Sequence, residues 1–217
     1  MHPRRWSDGI ELEELSPERG GYQFANERVQ STINHDEVES FDIESVYRIK
    51  NKYSWNRYRE RRAQISQDLG GAWVKEMRLF HGSLHAKKIA TEGFDRGFAK
   101  KSGMFRDGVY LAEHSSKSNH YAFGAFKNCE KHNDLRCEVC IRRILICRVA
   151  LGKIYETKRT VKVLPEGYHS VKAIPNDGFL LRPEYIIYHD DQVYPSYLVE
   201  YTAKYKKSTA KEECVIA

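Results

Sequence analysis

Long apolar runs are missing from this chain. No stretch approaches the roughly 18 residues that a membrane-spanning helix needs. The first residues, MHPRRWSDGIELEELSPERGG, lack the apolar core of a secretory signal. These absences make a reducing intracellular compartment, cytoplasm or nucleus, the expectation. Five cysteines there do not make a disulfide scaffold. No internal repeat is visible, and no basic-aromatic stripe of the kind that tracks nucleic acid. No regular crossover helices separate the strands of the second half, which argues for mostly antiparallel sheets.

What is present suits one sizeable core: 217 residues, 41% hydrophobic, with 14 Tyr and 9 Phe. The 36 Lys and Arg outnumber the 30 Asp and Glu, for a net charge of +6. That excess favours an anionic ligand or partner without choosing among nucleotide, nucleic acid and membrane surface.

Residues 1–40 are polar and aperiodic, broken by Ser16-Pro17 and Gly20-Gly21, and read as a mobile leader. Residues 41–50 alternate as a strand. Residues 52–69 place Trp55, Tyr58, Ile65 and Leu69 on one side of a helix that Gly70-Gly71 ends. Strands are expected at 77–82, 109–112, 142–151, 184–189 and 196–204, with Pro195 in the last turn. HAKKIATEG and the segment from Ser115 are short helices; 94–106 is a loop, as is the stretch around Pro165 and Gly167. The class is α+β, mainly antiparallel. The domain plan is a leader over 1–40, a folded domain over 41–204 and a basic tail over 205–217.

Cys129, His132, Cys137 and Cys140 have the spacing C-x2-H-x4-C-x2-C within a loop over 126–141. Three thiolates and an imidazole suit closed tetrahedral zinc, which leaves no open position and so is structural. The spacing is too tight to enclose a recognition helix. Loosely placed free thiols are the plainer alternative. Cys147, in an apolar strand, reads as core.

Leu79-Phe80-His81-Gly82-Ser83 reads as a buried strand opening into a site. A strand-end histidine, a bare backbone and a hydroxyl can hold a ribose and an amide. Tyr110 and Tyr121 can sandwich a flat cationic ring. A carboxylate near the final strands can orient a sugar hydroxyl. Singly, each such residue is more often a core residue.

Together, LFHGS, GMFRDGVYLAEHSSKSNHYAFG, HSV (169–171) and EYIIYHDDQVYPSYLVEY resemble the catalytic domain of the poly(ADP-ribose) polymerases. The likeness runs from about Val46 to about Tyr201, and the zinc-loop spacing is most similar to the tankyrases. No ankyrin or SAM-like segment and no helical regulatory subdomain accompanies it.

The resemblance implies an ADP-ribosyltransferase fold of two packed, mainly antiparallel sheets. It also implies cleavage of the nicotinamide–ribose bond of NAD+, with transfer of ADP-ribose to a protein acceptor. By position, His81 would bond the adenosine ribose. The Gly82 backbone and Ser118 would grip the carboxamide, with Ser83 beside them. Tyr121 would stack on nicotinamide and Tyr110 would close the other side. Residues 94–106 match the donor loop, with Asp95 an adenosine contact. His81, Tyr110 and Asp191 form the expected catalytic set, and no specific nucleic acid is expected.

Two departures stand out. Polymerising members of the family carry Glu before the position of Gln192, and this chain has Asp191. The lost methylene shortens reach by about 1.5 Å, and a misplacement of about 1 Å can cost on the order of 100-fold. That leaves an active enzyme with shifted backbone, single transfer without elongation, or an inactive NAD- or ADP-ribose-binding module. Phe98 stands where tankyrases carry a histidine. The chain ends in CVIA, a prenylation pattern at Cys214 with Lys206, Lys207 and Lys211 upstream, which would tether it to a membrane.

Overall fold

The computed structural model describes residues 9–34, 37–98, 105, 108–175 and 182–207. The expected tail from 208 onward, Cys214 included, and donor-loop residues 99–104 and 106 lie outside them.

Nine strands form one hydrogen-bonded sheet. They are β1 (Ile10–Glu14), β2 (Val38–Asn51), β3 (Glu76–Gly82), β4 (Val109–Ala112), β5 (Arg142–Ala150), β6 (Ile154–Thr157), β7 (Ser170–Ala173), β8 (Glu184–Ile187) and β9 (Val193–Tyr205). Their order is β1-β2-β9-β5-β3-β4-β8-β7-β6. The helices are α1 (Gly20–Gln30), α2 (Lys52–Asp68), α3 (Ala86–Glu92) and α4 (Ser115–Asn119), with single turns at Arg96–Phe98 and Asp190–Gln192.

Two packed sheets were the expectation; hydrogen bonding joins the nine strands in one order. Pairing runs through from β3 to β4, although only Phe80↔Ala112 joins them. All pairs are antiparallel except β6–β7. That parallel pair closes the loop expected after β5.

The leader reading also fails within the described residues. Ile10–Glu14 pairs along β2, and α1 buries Ala25 and Val29 against Phe80, Ile144, Ile146 and Val199. The polar composition hid a thin apolar stripe, Tyr22, Ala25 and Val29, at helical spacing. The two glycines did not break the chain there. A Cβ on Gly21 would meet the side-chain ends of Arg48, Nη2 at 2.6 Å, and Leu15, Cδ1 at 2.9 Å.

α2 forms as its pattern predicts, burying Tyr58 and Ile65 with Val74, Ala150 and Tyr194. Asn51 caps it, its side chain accepting from Ser54 N at 2.9 Å while its amide donates to Thr91 O at 2.7 Å. Pro195 lies inside β9, not in a turn. It sits opposite Cys147 where the β5–β9 register shifts, a bulge that tolerates a missing N–H. No described helix is long and apolar enough to cross a membrane.

Candidate active site

β3 is central, flanked by β5 and β4, and its C-terminal end carries His81 and Gly82. The His81 ring nitrogen Nδ1 lies 2.9 Å from the Tyr110 carbonyl oxygen, which fixes the proton on Nδ1. Burial pulls the imidazole pKa below its ordinary value, against a smaller opposing effect of that bond. A neutral ring at pH 7 therefore presents Nε2 as an acceptor. Phe94 packs edge-on against it at 5.1 Å.

Gly82 touches α4. A Cβ built there would lie 1.9 Å from the Ser118 carbonyl oxygen, so only a glycine permits this approach. Ser118 is buried, and its carbonyl accepts from Tyr121 N at 3.1 Å. The Tyr121 phenol is pushed up to about 12, first by burial, then by the charge of Glu184, then by Tyr110. The Tyr110 hydroxyl accepts from Phe105 N at 2.9 Å.

Glu184 opens β8, between Ala112 of β4 and Ala173 of β7. It is buried, and Lys117 Nζ holds its carboxylate at 2.8 Å. Lys117 also donates to Arg182 O at 3.3 Å. The sequence reading missed both residues. The available signal was a carboxylate heading an otherwise apolar strand, Glu184-Tyr185-Ile186-Ile187, which demands a buried partner.

Asp191 is not brought to this cleft. Its carboxylate pairs with Arg57 at 2.6 Å. The neighbouring Gln192 amide donates to Ala150 O at 2.9 Å, and Ala150 faces Glu76 across the ladder. Asp191 thus sits near the start of β3, about 17 Å along the strand from His81 at roughly 3.3 Å per residue. The catalytic assignment of Asp191 is corrected on this ground. A charged residue at a strand-to-strand turn found a helix arginine instead of the cleft. Its neighbour Asp190 accepts from Arg96 N at 3.1 Å and pairs with Arg96 Nε at 3.2 Å, which ties down the start of the donor loop.

Two other residues of the expected set serve local turns. Ser83 Oγ accepts from His85 N at 3.1 Å. Asp95 is exposed and accepts from Gly97 N at 2.7 Å. The described structure thus gathers His81, Gly82, Tyr110, Ser118 and Tyr121 and adds Lys117 and Glu184.

Away from the cleft, one ligand atom from each of Cys129, His132, Cys137 and Cys140 lies within 4.8 Å of the others. His132 Nδ1 is 3.3, 3.4 and 3.9 Å from the sulfurs of Cys137, Cys140 and Cys129. Zn–S bonds of about 2.3 Å and a Zn–N bond of about 2.0 Å in a tetrahedron give edges of roughly 3.5 Å, so the set fits zinc. Backbone N–H groups of His132 and Cys140 point at Cys129 and Cys137 sulfurs. Buried Arg142 donates to the Leu135 and Cys137 carbonyls and joins the loop to β5.

A mixed α+β sheet whose cleft gathers a neutral histidine, two tyrosines and a buried lysine–glutamate pair fits an ADP-ribosyltransferase. Comparison with known proteins gives the family. Residues 21–178, more than half of the chain, match the poly(ADP-ribose) polymerase catalytic domain, and the chain belongs to that family. It is 24% identical to a probable poly [ADP-ribose] polymerase of Dictyostelium discoideum over 94% of this chain and 58% of that protein. It is 24% identical to the human protein mono-ADP-ribosyltransferase PARP12 over 76% of this chain and 23% of that protein. It is 28% identical to zebrafish (Danio rerio) poly [ADP-ribose] polymerase 1 over 78% of this chain and 18% of that protein. The chain thus spans less than two thirds of each of these relatives.

Proposed function

We propose that this domain cleaves the nicotinamide–ribose bond of NAD+ and passes ADP-ribose to a protein acceptor. Zinc bound at Cys129, His132, Cys137 and Cys140 would be structural. The observation that carries the reading is the buried Lys117–Glu184 pair beside Tyr121.

The chemistry is mostly positioning and charge stabilisation. Nicotinamide leaves from a sugar that becomes oxocarbenium-like, as in glycoside hydrolysis. Tyr121 stacks on the pyridinium, whose charge favours an aromatic face. The Gly82 backbone and Ser118 hold its carboxamide. Neutral His81 accepts from an adenosine-ribose hydroxyl. Glu184 accepts from a hydroxyl of the nicotinamide ribose and stabilises the developing cation. Lys117 keeps that carboxylate aimed.

The inactive-module reading was motivated by Asp191. With Glu184 in the cleft, no observation favours it. The same placement removes the short-reach reason for weak elongation. Incubation with labelled NAD+ tests the proposal: labelled protein and free nicotinamide are expected. A ladder on the gel marks polymer and one sharp shift marks single transfer. Absence of both label and nicotinamide overturns the enzyme reading.

A further inference from the structure

A second cleft opens on the other face of the sheet from His81. Side chains alternate along a strand, so Arg78 and Phe80 point one way and Leu79 and His81 the other. Phe80 packs in the cluster under α1, and Leu79 in the opposite one. The cleft holds about 580 Å³, and its lining includes Arg48, Arg78, Arg148, Trp55, Ser196 and Tyr197. That volume is in the range of small-molecule sites.

Its charge is unusual. Arg78 and Arg148 are direct cross-strand partners on β3 and β5. Like charges so placed destabilise a sheet. Arg78 is half-buried, and burial together with Arg148 holds its guanidinium pKa below the ordinary value. Among the described residues, no carboxylate lies within ion-pair distance of Arg48, Arg78 or Arg148. Arg57, Arg62, Arg96, Arg136 and Arg143 each have one. Arg78 feels Glu76 at longer range, but Glu76 is held by Arg62 and Tyr58.

The three guanidiniums are oriented by rings and a hydroxyl, which do not neutralise them. Arg148 lies over Trp55 at 5.5 Å, Arg48 over Tyr197 at 6.0 Å and Arg78 over Phe24 at 5.9 Å. Arg78 Nη1 donates to Ser196 Oγ at 2.8 Å. Strands β2, β5 and β3 thus bring together three arginines, with Ser196 and Tyr197 of β9 among them; Glu13 faces Arg48 across the β1–β2 ladder and is held by Lys50.

We propose that this cleft binds a small phosphate-bearing anion, a diphosphate group gripped by Arg48, Arg78 and Arg148. Guanidinium forks match phosphate oxygens two at a time, and Arg is the residue best suited to it. The anion relieves the cross-strand repulsion between Arg78 and Arg148. The site is separate from the NAD+ cleft and does not depend on the reading of that cleft.

Isothermal titration of the full chain with inorganic pyrophosphate tests this, with ADP titrated in parallel. Saturable binding is expected in the wild type and unchanged in His81→Ala. It should weaken at least about tenfold in Arg148→Gln, the scale of one lost charge-assisted contact. Arg48→Gln, on an exposed residue that does not anchor the core, should also weaken it. Pyrophosphate should raise the melting temperature of the wild type and leave that of Arg148→Gln in place. ADP binding tighter than that of pyrophosphate, weakened in Arg148→Gln and kept in His81→Ala, identifies a nucleotide as the ligand of this cleft; ADP binding lost only in His81→Ala belongs to the NAD+ cleft and leaves the inorganic anion as the ligand here. No saturable binding to the wild type overturns the proposal. So does binding that neither arginine variant weakens.

Discussion

Gly82→Ala places one methyl carbon where β3 meets α4. That carbon would lie 1.9 Å from the Ser118 carbonyl oxygen, 2.8 Å from its carbonyl carbon and 3.2 Å from its Cα. A carbon against a carbonyl oxygen sits comfortably at about 3.3 Å, so the contact is short by about 1.4 Å. The obstacle is backbone, which cannot rotate away as a side chain would. β3 and α4 must therefore part, and Ser118 moves relative to the Gly82 backbone. Those are the two groups proposed to grip the carboxamide. Overpacking of this size costs about 1–3 kcal/mol, a fall in melting temperature of roughly 3–10 °C for a chain of this length. Displacing a positioning group by about 1 Å lowers turnover on the order of 100-fold. Thermal unfolding and nicotinamide release from NAD+, run on the same preparation, read both effects. A variant that folds, melts within a degree of the wild type and turns over NAD+ at the wild-type rate would refute the close approach and the role built on it.

Metal analysis of the purified protein should find one zinc per chain, and Cys137→Ala should abolish it and lower the melting temperature by several degrees. Retention of the metal in that variant would contradict the four-ligand set. His81 gives a pH prediction whose sign follows from its lowered pKa. Above about 6.5 the ring is neutral folded and unfolded. As pH falls through that value the unfolded ring takes a proton that the buried ring resists, so stability is lost on acidification. Unfolding measured between pH 7.5 and 5.5 should show a shallower loss in His81→Gln than in the wild type; an equal slope would count against the buried neutral ring.

The strands of the second half were legible because their apolar runs are long and bounded by turn residues, as in Arg142–Ala150. α2 was legible from its apolar spacing and its terminal glycines, which take φ of +70° and +84° at Gly70 and Gly71. β1 and α1 were not, since their burial comes from tertiary contact with β2 and not from composition. At the site, His81, Gly82 and the two tyrosines could be read because strand ends and flat rings carry an obvious chemistry. Glu184 could not be separated from Asp191 by sequence, as both acids lie in one short segment. Only the ladder shows that one faces Ala112 while the other follows the chain to Arg57. The Lys117–Glu184 pair joins residues 67 apart and leaves no local pattern. The basic cleft escaped for a similar reason, since its arginines come from separate strands.

The most direct measurement of the central claim is NAD+ turnover in Glu184→Gln beside Asp191→Asn. Glutamine keeps the shape at 184 and removes the charge, so nicotinamide release should fall on the order of 100- to 1,000-fold. Asp191 pairs with a partly exposed arginine away from the cleft, and its loss should leave turnover within about twofold and stability within about 1 kcal/mol. Full activity in Glu184→Gln, or a collapse of turnover in Asp191→Asn, would contradict the placement of the reacting centre.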